Sequence, residues 1–412
     1  MSASVEESPD LREAWMLLFQ GELKPAADRF QTQLGATDSP SAAAGLLLCA
    51  AVMGAGDAVA ALLTDRWTRR RDAGLVLWRA AWICAANGSD QGLERLTAAL
   101  AGFSAAAREQ AALHYARGHL AMMRGEDDAA IDHFLAAKRS FDADPEWFLA
   151  AQDQTLTNVF VQTRHLLEAD RLYTLAAAVA PPPVFEKPAE IQPCIVIAAD
   201  GVYLRRFGAD FVKSLDETNP GTTLLVLAVD ADPADTAALA DAGPSLFIGM
   251  EYQTSEFPGI TRSAVYASWR FLRMEKLLAD NRGPTLVLDI DLIVRAPLDP
   301  LFRAMQDGDF GCWFRPDGGP GGIVRAGATG FAASEDAWWM AALTGGYIRA
   351  RFAEETENLW FVDQAALWRA AHEAKKNRPG FRLVDFSQAG STGAGAFTDY
   401  FDLVGDDGVK RR

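Results

Sequence analysis

Thr285-Leu-Val-Leu-Asp289-Ile-Asp291-Leu-Ile-Val294 is the stretch on which the reading of this chain turns. Four β-prone, mostly apolar residues run into two aspartates spaced i, i+2. A short, continuous apolar run marks a strand buried on both faces. Along an extended chain the side chains alternate, so Asp289 and Asp291 are expected on one side and Ile290 on the other. Two carboxylates where a buried strand surfaces repel each other and are costly to desolvate. A divalent cation, Mn²⁺ or Mg²⁺, carrying a diphosphate ligand relieves both costs, because hard cations prefer carboxylate oxygen. The plain alternative is an acidic turn after a strand, and Asp-x-Asp alone is a weak signal. The following Val294-Arg-Ala-Pro297-Leu-Asp-Pro300-Leu-Phe302 favours the cation site.

Upstream, Ile191 to Ala199 ends in Cys194-Ile-Val-Ile-Ala-Ala199, a strand signal. Asp200-Gly-Val-Tyr203 follows, then a helix to about Thr218 and a turn at Asn219-Pro220-Gly221. Thr222 to Val229 reads as a second buried strand, Asp230 to Ala242 as a helix, and Leu246-Phe-Ile248 as a third strand. Strands alternating with helices predict an α/β unit with a mostly parallel, Rossmann-like sheet. Ligands of such sheets bind beyond the carboxyl ends of the strands. Asp200, Asp289 and Asp291 all fall at strand ends, so one cleft is expected to gather them.

The first half is different. From Leu11 to about Ala180 the chain is rich in Ala and Leu and sparse in proline. Leu11, Trp15, Leu18 and Phe19 recur at helical spacing, and a second helix carries Ala26, Ala27 and Phe30. The clearest unit is 111–144: small Gly118 and Ala129 permit close helix approach, Gly125 ends one helix, and Asp127 or Asp128 caps the next. It resembles a tetratricopeptide repeat, a bihelical unit of about 34 residues. Weaker helical pairs are expected over 11–34, 41–63, 75–100 and 146–179. Such an array offers a concave face, either to a protein or glycan acceptor or as a packing platform. Ala180-Pro181-Pro-Pro183-Val-Phe-Glu-Lys-Pro188 breaks the helical pattern, and polyproline makes a stiff spacer. The predicted organisation is therefore a helical domain over 1–180, a linker over 181–190 and an α/β domain over 191–412.

A net charge of −16 across 412 residues disfavours a nucleic-acid backbone or an anionic membrane as main partner. The cysteines Cys49, Cys84, Cys194 and Cys312 are scattered without a Cys-x-x-Cys, which predicts buried thiols in a reducing, cytoplasmic setting. Glu6, Glu7 and Asp10 precede the first apolar residues, unlike a signal peptide, and Ser39–Gly56 is too weakly apolar for a membrane span. His114, His119, His133 and His165 read as surface or satisfied helix residues. His372 lies in Ala370-Ala-His-Glu-Ala-Lys-Lys and is expected to be solvated. Trp67, Trp78 and Trp82 read as core.

Four segments of the second half occur in an order that resembles GT-A-fold glycosyltransferases of family 8, the glycogenin and galactosyltransferase-like type. They are Ile197-Ala-Ala-Asp200-Gly-Val-Tyr203, Tyr266-x-x-x-Arg270-Phe-Leu-x-Met-Glu-Lys-Leu-Leu278, Leu286-Val-Leu-Asp289-Ile-Asp291, and Phe361-Val-Asp363-Gln364-Ala-Ala-Leu367. The ordered set spans Ile191 to Leu383. The resemblance implies a metal-dependent hexosyltransferase that moves sugar from a nucleotide-diphosphate sugar, UDP-sugar foremost, to a glycan or protein acceptor with retention. It implies that Asp200 and Tyr203 hold base and ribose, and that Arg270 meets the donor phosphate or sugar. Asp289 would face ribose and metal and Asp291 the metal, with Asp363 and Gln364 near the anomeric carbon. From the residues alone, Tyr203 is equally a packing residue, Arg270 a surface or ion-paired arginine, and Asp363 a helix N-cap.

The chain departs from that family in places. The family's Asn-Ser-Gly or Asn-Ala-Gly segment is sought at Ala328-Thr329-Gly330-Phe331, where Thr329 offers a hydroxyl and Gly330 the glycine. The family's His-x-x-Gly-x-x-Lys-Pro segment is missing, and the tail reads Phe386-Ser-Gln-Ala-Gly390-Ser-Thr-Gly393 instead. Arg315-Pro-Asp-Gly-Gly-Pro-Gly-Gly322 reads as a mobile lid or a plain connection. The alternative to an enzyme is a non-catalytic helical-repeat scaffold with a degenerate nucleotide-sugar domain. A nucleotidyltransferase is disfavoured, because no Gly-rich basic loop follows Ala199.

Overall fold

The computed structural model describes residues 8–66, 69, 73–87, 89–100, 107–143, 163–183, 185, 193–280, 283–314, 320, 323–355, 359–388 and 396–403. Trp67, residues 146–162 of the helical pair expected over 146–179, most of the linker after Pro183, the loop 315–322 apart from Pro320, and the tail 389–395 lie outside the described residues. The chain forms two compact units, one within Met1–Leu166 and one from Leu167–Arg315 and Gly321–Arg412.

The first unit contains helices α1 (Pro9–Phe19), α2 (Leu23–Thr37), α3 (Pro40–Val52), α4 (Gly56–Asp65), α5 (Ala73–Ala86), α6 (Asp90–Leu100), α7 (Ala107–Met123) and α8 (Asp127–Asp142). They occupy 9–37, 40–65, 73–100 and 107–142. Ser8 and Ser39 each cap a helix with a side-chain oxygen, and a proline sits at N1 of both. The uncharged Ser39–Gly56 run becomes α3, a helix buried almost all round. No helix among the described residues is long and apolar enough to cross a membrane. Two glycines seat phenylalanines: a Cβ on Gly118 would meet the Phe134 ring at 2.8 Å, and one on Gly45 would run into the Phe30 ring. Gly125 ends α7 at φ 73°, a conformation a side chain resists.

The second unit begins with α9 (Ala169–Ala178), which the sequence reading assigned to the helical half. The Leu167 N–H just before it donates to the buried Tyr347 hydroxyl at 2.9 Å. Seven strands follow: β1 (Cys194–Ala199), β2 (Thr223–Val229), β3 (Phe247–Gln253), β4 (Thr285–Leu288), then β6 (Phe310–Phe314), β7 (Val324–Phe331) and β8 (Leu383–Asp385). They form one sheet in the order β3-β2-β1-β4-β7-β6-β8. Only β7 runs against its neighbours; the pairs β1–β2, β1–β4, β2–β3 and β6–β8 are parallel. All six β1 residues and all four of β4 are buried, as central parallel strands require. Between β4 and β6, β5 (Leu292–Val294) pairs with β9 (Phe401–Leu403) in a separate two-stranded ribbon.

Long helices of this unit are α10 (Ala209–Thr218), α11 (Arg262–Asp280), α12 (Glu335–Glu354) and α13 (Val362–Asn377). The single helix expected over Asp230–Ala242 is two short turns, Pro233–Thr236 and Leu239–Ala242. Asp230 itself is left-handed at φ 50° and its neighbours serve a loop, so propensity alone misled there. The third strand runs well past Ile248, to Gln253. It is an edge strand with partial exposure throughout, and its second half, Met250-Glu-Tyr-Gln253, carries polar residues that do not read as a buried strand.

Candidate active site

β1 and β4 are neighbours and parallel, so Asp200 and Asp289 emerge at the same rim of the sheet. Asp200 caps the helical turn Gly201–Tyr203, its Oδ1 accepting the Tyr203 N–H at 2.8 Å. Tyr203 stays 37% exposed and tilts against Phe207 at 5.3 Å between ring centroids, so it is not a core residue.

Asp289 does not lead into an extended Asp-x-Asp. The chain turns at Ile290–Asp291, and Leu292 N–H donates back to Asp289 O at 3.3 Å. The alternation expected along a straight strand therefore ends at Asp289, and Asp291 is buried within the turn. The segment beyond is pinned to α10: Val294 N–H donates to Ser214 Oγ at 3.0 Å and Leu298 N–H to Asn219 Oδ1 at 2.7 Å.

Arg270, only 3% exposed in its side chain, organises this rim. Its Nη1 donates to Asp289 Oδ1 and, at 3.3 Å, to Leu288 O; its Nη2 donates to Ala326 O at 3.2 Å. Asp363 Oδ2 lies 4.0 Å from the same Nη2. A buried guanidinium needs matched donors; its two Nη groups are matched in this way, while Nε has no hydrogen-bond partner among the described residues. Arg270 is thus a buried, ion-paired positioning residue whose fork is already engaged. Asp363 sits in the first turn of α13, not at its N-cap, which is Phe361 at φ 71°. Its Oδ1 accepts the Gln364 N–H at 2.9 Å. Burial pushes the Asp363 carboxyl up to about 6, with Asp289 adding to the rise and Arg270 opposing it.

The structure does not bring Thr329 and Gly330 to the rim. Both lie inside β7, with Thr329 fully buried opposite Val287 and Gly330 opposite Leu286. The glycine at the rim is Gly327, three residues earlier. Asp289 N–H donates to Gly327 O at 2.8 Å, and a Cβ on Gly327 would stand 2.6 Å from Asp289 Oδ2. Gly327 and the Ala326 carbonyl are the site residues the sequence reading missed. Arg325-Ala326-Gly327 was the available signal, obscured by arginine where an amide was sought. His372, expected in solvent, is buried on α13, because its helix packs against β7 and α12 despite the flanking charges.

Among the described residues no three His, Cys, Asp or Glu side chains converge as a ready-made ion cage. Asp289, part-exposed at the rim, and Asp291, buried in the turn beside it, carry hard carboxylate oxygens, the ligand type that Mg²⁺-type sites combine, one or two at a time, with substrate phosphates.

No family model matches the chain. No curated protein matches it either. Solved structures do. The galactosyltransferase LgtC, in complex with donor and acceptor sugar analogues, is 17% identical over 46% of this chain and 72% of its own, at a TM-score of 0.34. The apo glycosyltransferase GlyE of Streptococcus pneumoniae TIGR4 is 16% identical over 48% of this chain and 46% of its own, at 0.34. Mouse xyloside xylosyltransferase 1 is 12% identical over 48% of this chain and 86% of its own, at 0.30.

Proposed function

We propose that the second unit is a GT-A-type glycosyltransferase of the family-8 kind, acting on a nucleotide-diphosphate sugar, UDP-sugar foremost, and a glycan or protein acceptor. The observation that carries this reading is the convergence on Arg270 of Asp289 and Asp363, from segments far apart in sequence, beside the Asp200 end of β1. A parallel sheet binds ligands at that rim, and an acidic pair backed by a buried cation suits a diphosphate with its counter-ion better than a neutral ligand.

In this reading Tyr203 offers an exposed ring for the base and Asp200 acceptors for base or ribose. Asp289 and Asp291 hold Mn²⁺ or Mg²⁺, which, when bound, supplies Lewis-acid stabilisation of the departing diphosphate. Arg270 fixes the Asp289 rotamer and favours the charged form of Asp363. Asp363 and Gln364 face the positive charge that develops at the anomeric carbon, and retention of configuration follows the family likeness. Residues 191–412 carry the chemistry. The helices of the first unit, within Met1–Leu166, form a tetratricopeptide-like array that binds the acceptor, and the chain works in the cytoplasm.

The test is calorimetry and nucleotide release with UDP-, GDP- and TDP-sugars, with and without Mn²⁺. Metal-dependent binding that disappears in Asp291→Ala supports the reading. No binding with any donor, together with capture of a protein partner through residues 11–180, would support a scaffold instead.

A further inference from the structure

A second cleft lies on the same rim of the sheet, at the far side of α11. It has a volume of about 470 Å³ and is lined by Gln253 at the end of β3, Thr254, Glu256, Trp269, Arg273 and Arg349 among others. β3 is three strands from β4, so this cleft stands about 14 Å across the sheet from Asp289. On α11, Arg273 and Trp269 point roughly 60° and 100° away from Arg270, so one helix serves both sites.

The unexplained feature is Arg273. Its Nε is buried with no hydrogen-bond partner among the described residues, and its nearest carboxylate oxygen, Glu251 Oε2, stays 3.8 Å away. That carboxylate is held elsewhere: Trp269 Nε1 donates to Gln253 Oε1, and Gln253 Nε2 donates to Glu251 Oε2 at 2.8 Å. Arg349 is ion-paired through Nη1 with the exposed Glu256 at 2.9 Å, and its Nη2 reaches the Leu272 carbonyl at 3.5 Å. Two guanidinium groups thus share one cleft, and Arg273 Nε has no hydrogen-bond partner there among the described residues. A planar fork of this kind matches carboxylate or phosphate oxygens. Tyr252 adds an exposed ring, and Thr254 and Glu256 add groups for hydroxyls. The volume falls in the range of small-ligand pockets and suits one or two sugar rings.

We infer that this cleft binds an anionic saccharide unit, a sugar ring carrying a carboxylate or a phosphate, through Arg273 and Arg349. That the ligand is a saccharide rests on the proposed glycosyltransferase reading; that it is an oxyanion rests on the two arginines alone. The cleft then selects acidic glycan acceptors at a distance from the reacting centre.

The experiment is calorimetry on the full chain with a glucuronate-containing disaccharide, a hexose 6-phosphate, inorganic phosphate and a neutral disaccharide. UDP-sugar binding with Mn²⁺ is read on the same samples. One of the two anionic sugars is expected to bind, more weakly at high salt, and Arg273→Gln is expected to lower its affinity by about tenfold or more. Which of the two binds separates carboxylate from phosphate. The exposed Arg349→Gln variant decides the matter if Arg273→Gln fails to fold. The inference is overturned if neither anionic sugar binds, if the neutral sugar or inorganic phosphate binds as tightly, or if both variants bind as the native chain does. Retained UDP-sugar binding alongside any of these sinks the cleft alone; anionic-sugar binding without UDP-sugar binding sinks the transferase reading and leaves the arginine site standing.

Discussion

Arg270 and Asp363 are buried side by side with 4.0 Å between Nη2 and Oδ2, close enough to attract but too far to hydrogen-bond. Arg270 spends its short contacts on Asp289 and on two backbone carbonyls. Asp363 therefore feels the cation only through space, and burial outweighs that pull. The result is a buried carboxyl raised to about 6 beside a buried guanidinium, the pairing of burial and charge that catalytic carboxylates use.

The pH dependence follows in sign. The Asp363 pKa is raised from 3.8 to about 6, so the folded chain binds this proton more tightly than the unfolded one. Its contribution is fully present below the unfolded value and is lost as pH rises through about 6. The interval is worth on the order of 3 kcal/mol. Asp363→Asn removes that term. Melting curves from pH 4 to 7 are expected to show the native chain losing stability relative to Asp363→Asn over this window, then running parallel. Sugar transfer is expected to rise over the same window, since the carboxylate is the form that stabilises a positive centre.

Arg270→Lys keeps the charge and loses the fork. One ammonium cannot reach Asp289, Leu288 O and Ala326 O in the geometry the guanidinium holds. Denaturant titration is expected to show a loss of roughly 2 kcal/mol, short of the 3–5 typical of a fully broken buried pair. UDP-sugar affinity is expected to fall about tenfold, because Asp289 is no longer fixed. Arg270→Ala is expected to raise the Asp363 midpoint further, as its opposing charge is removed.

The central strands were legible because burial on both faces writes itself as unbroken apolar runs: Cys194–Ala199, Thr223–Val229 and Thr285–Leu288. The edge strand β3 was half-visible, since its polar second half resembles loop. The site was legible as residue types at strand ends and illegible where geometry depends on turns. Ile290–Asp291 turns where extension was expected, and Gly327 takes the rim position sought at Gly330. His372 shows the limit of reading charge from neighbours in sequence: Glu373 beside it faces elsewhere on the helix, and Lys375 and Lys376 fall in its exposed last turn.

In the helical unit, Gly118→Ala tests whether close approach is what the glycine provides. The added Cβ would meet three Phe134 ring atoms at 2.8–3.0 Å. Alanine is otherwise the better helix former by about 1 kcal/mol. A net loss of about 1–2 kcal/mol by denaturant titration is expected, because overpacking a fixed ring outweighs propensity. A stabilised variant would mean the ring moves freely.

Gly327→Ala probes the rim without replacing any charged group. The backbone there is ordinary strand, so alanine brings no backbone strain, only one methyl placed 2.6 Å from Asp289 Oδ2 and 3.4 Å from its Cγ. A surface aspartate would swing away at little cost. This one is held by Arg270 at Oδ1 and by its own N–H to Gly327 O at 2.8 Å. The carboxylate must therefore rotate against the guanidinium, or β7 must back away from β4. Either response moves the Asp289 carboxylate from the place where Arg270 holds it. The expected outcome is a modest stability loss of about 1–2 kcal/mol and a drop of about tenfold or more in metal-dependent UDP-sugar affinity, with metal-independent nucleotide binding changed less. Equal affinities in the two proteins would mean that the Asp289 rotamer seen here is not the one that meets the ligand.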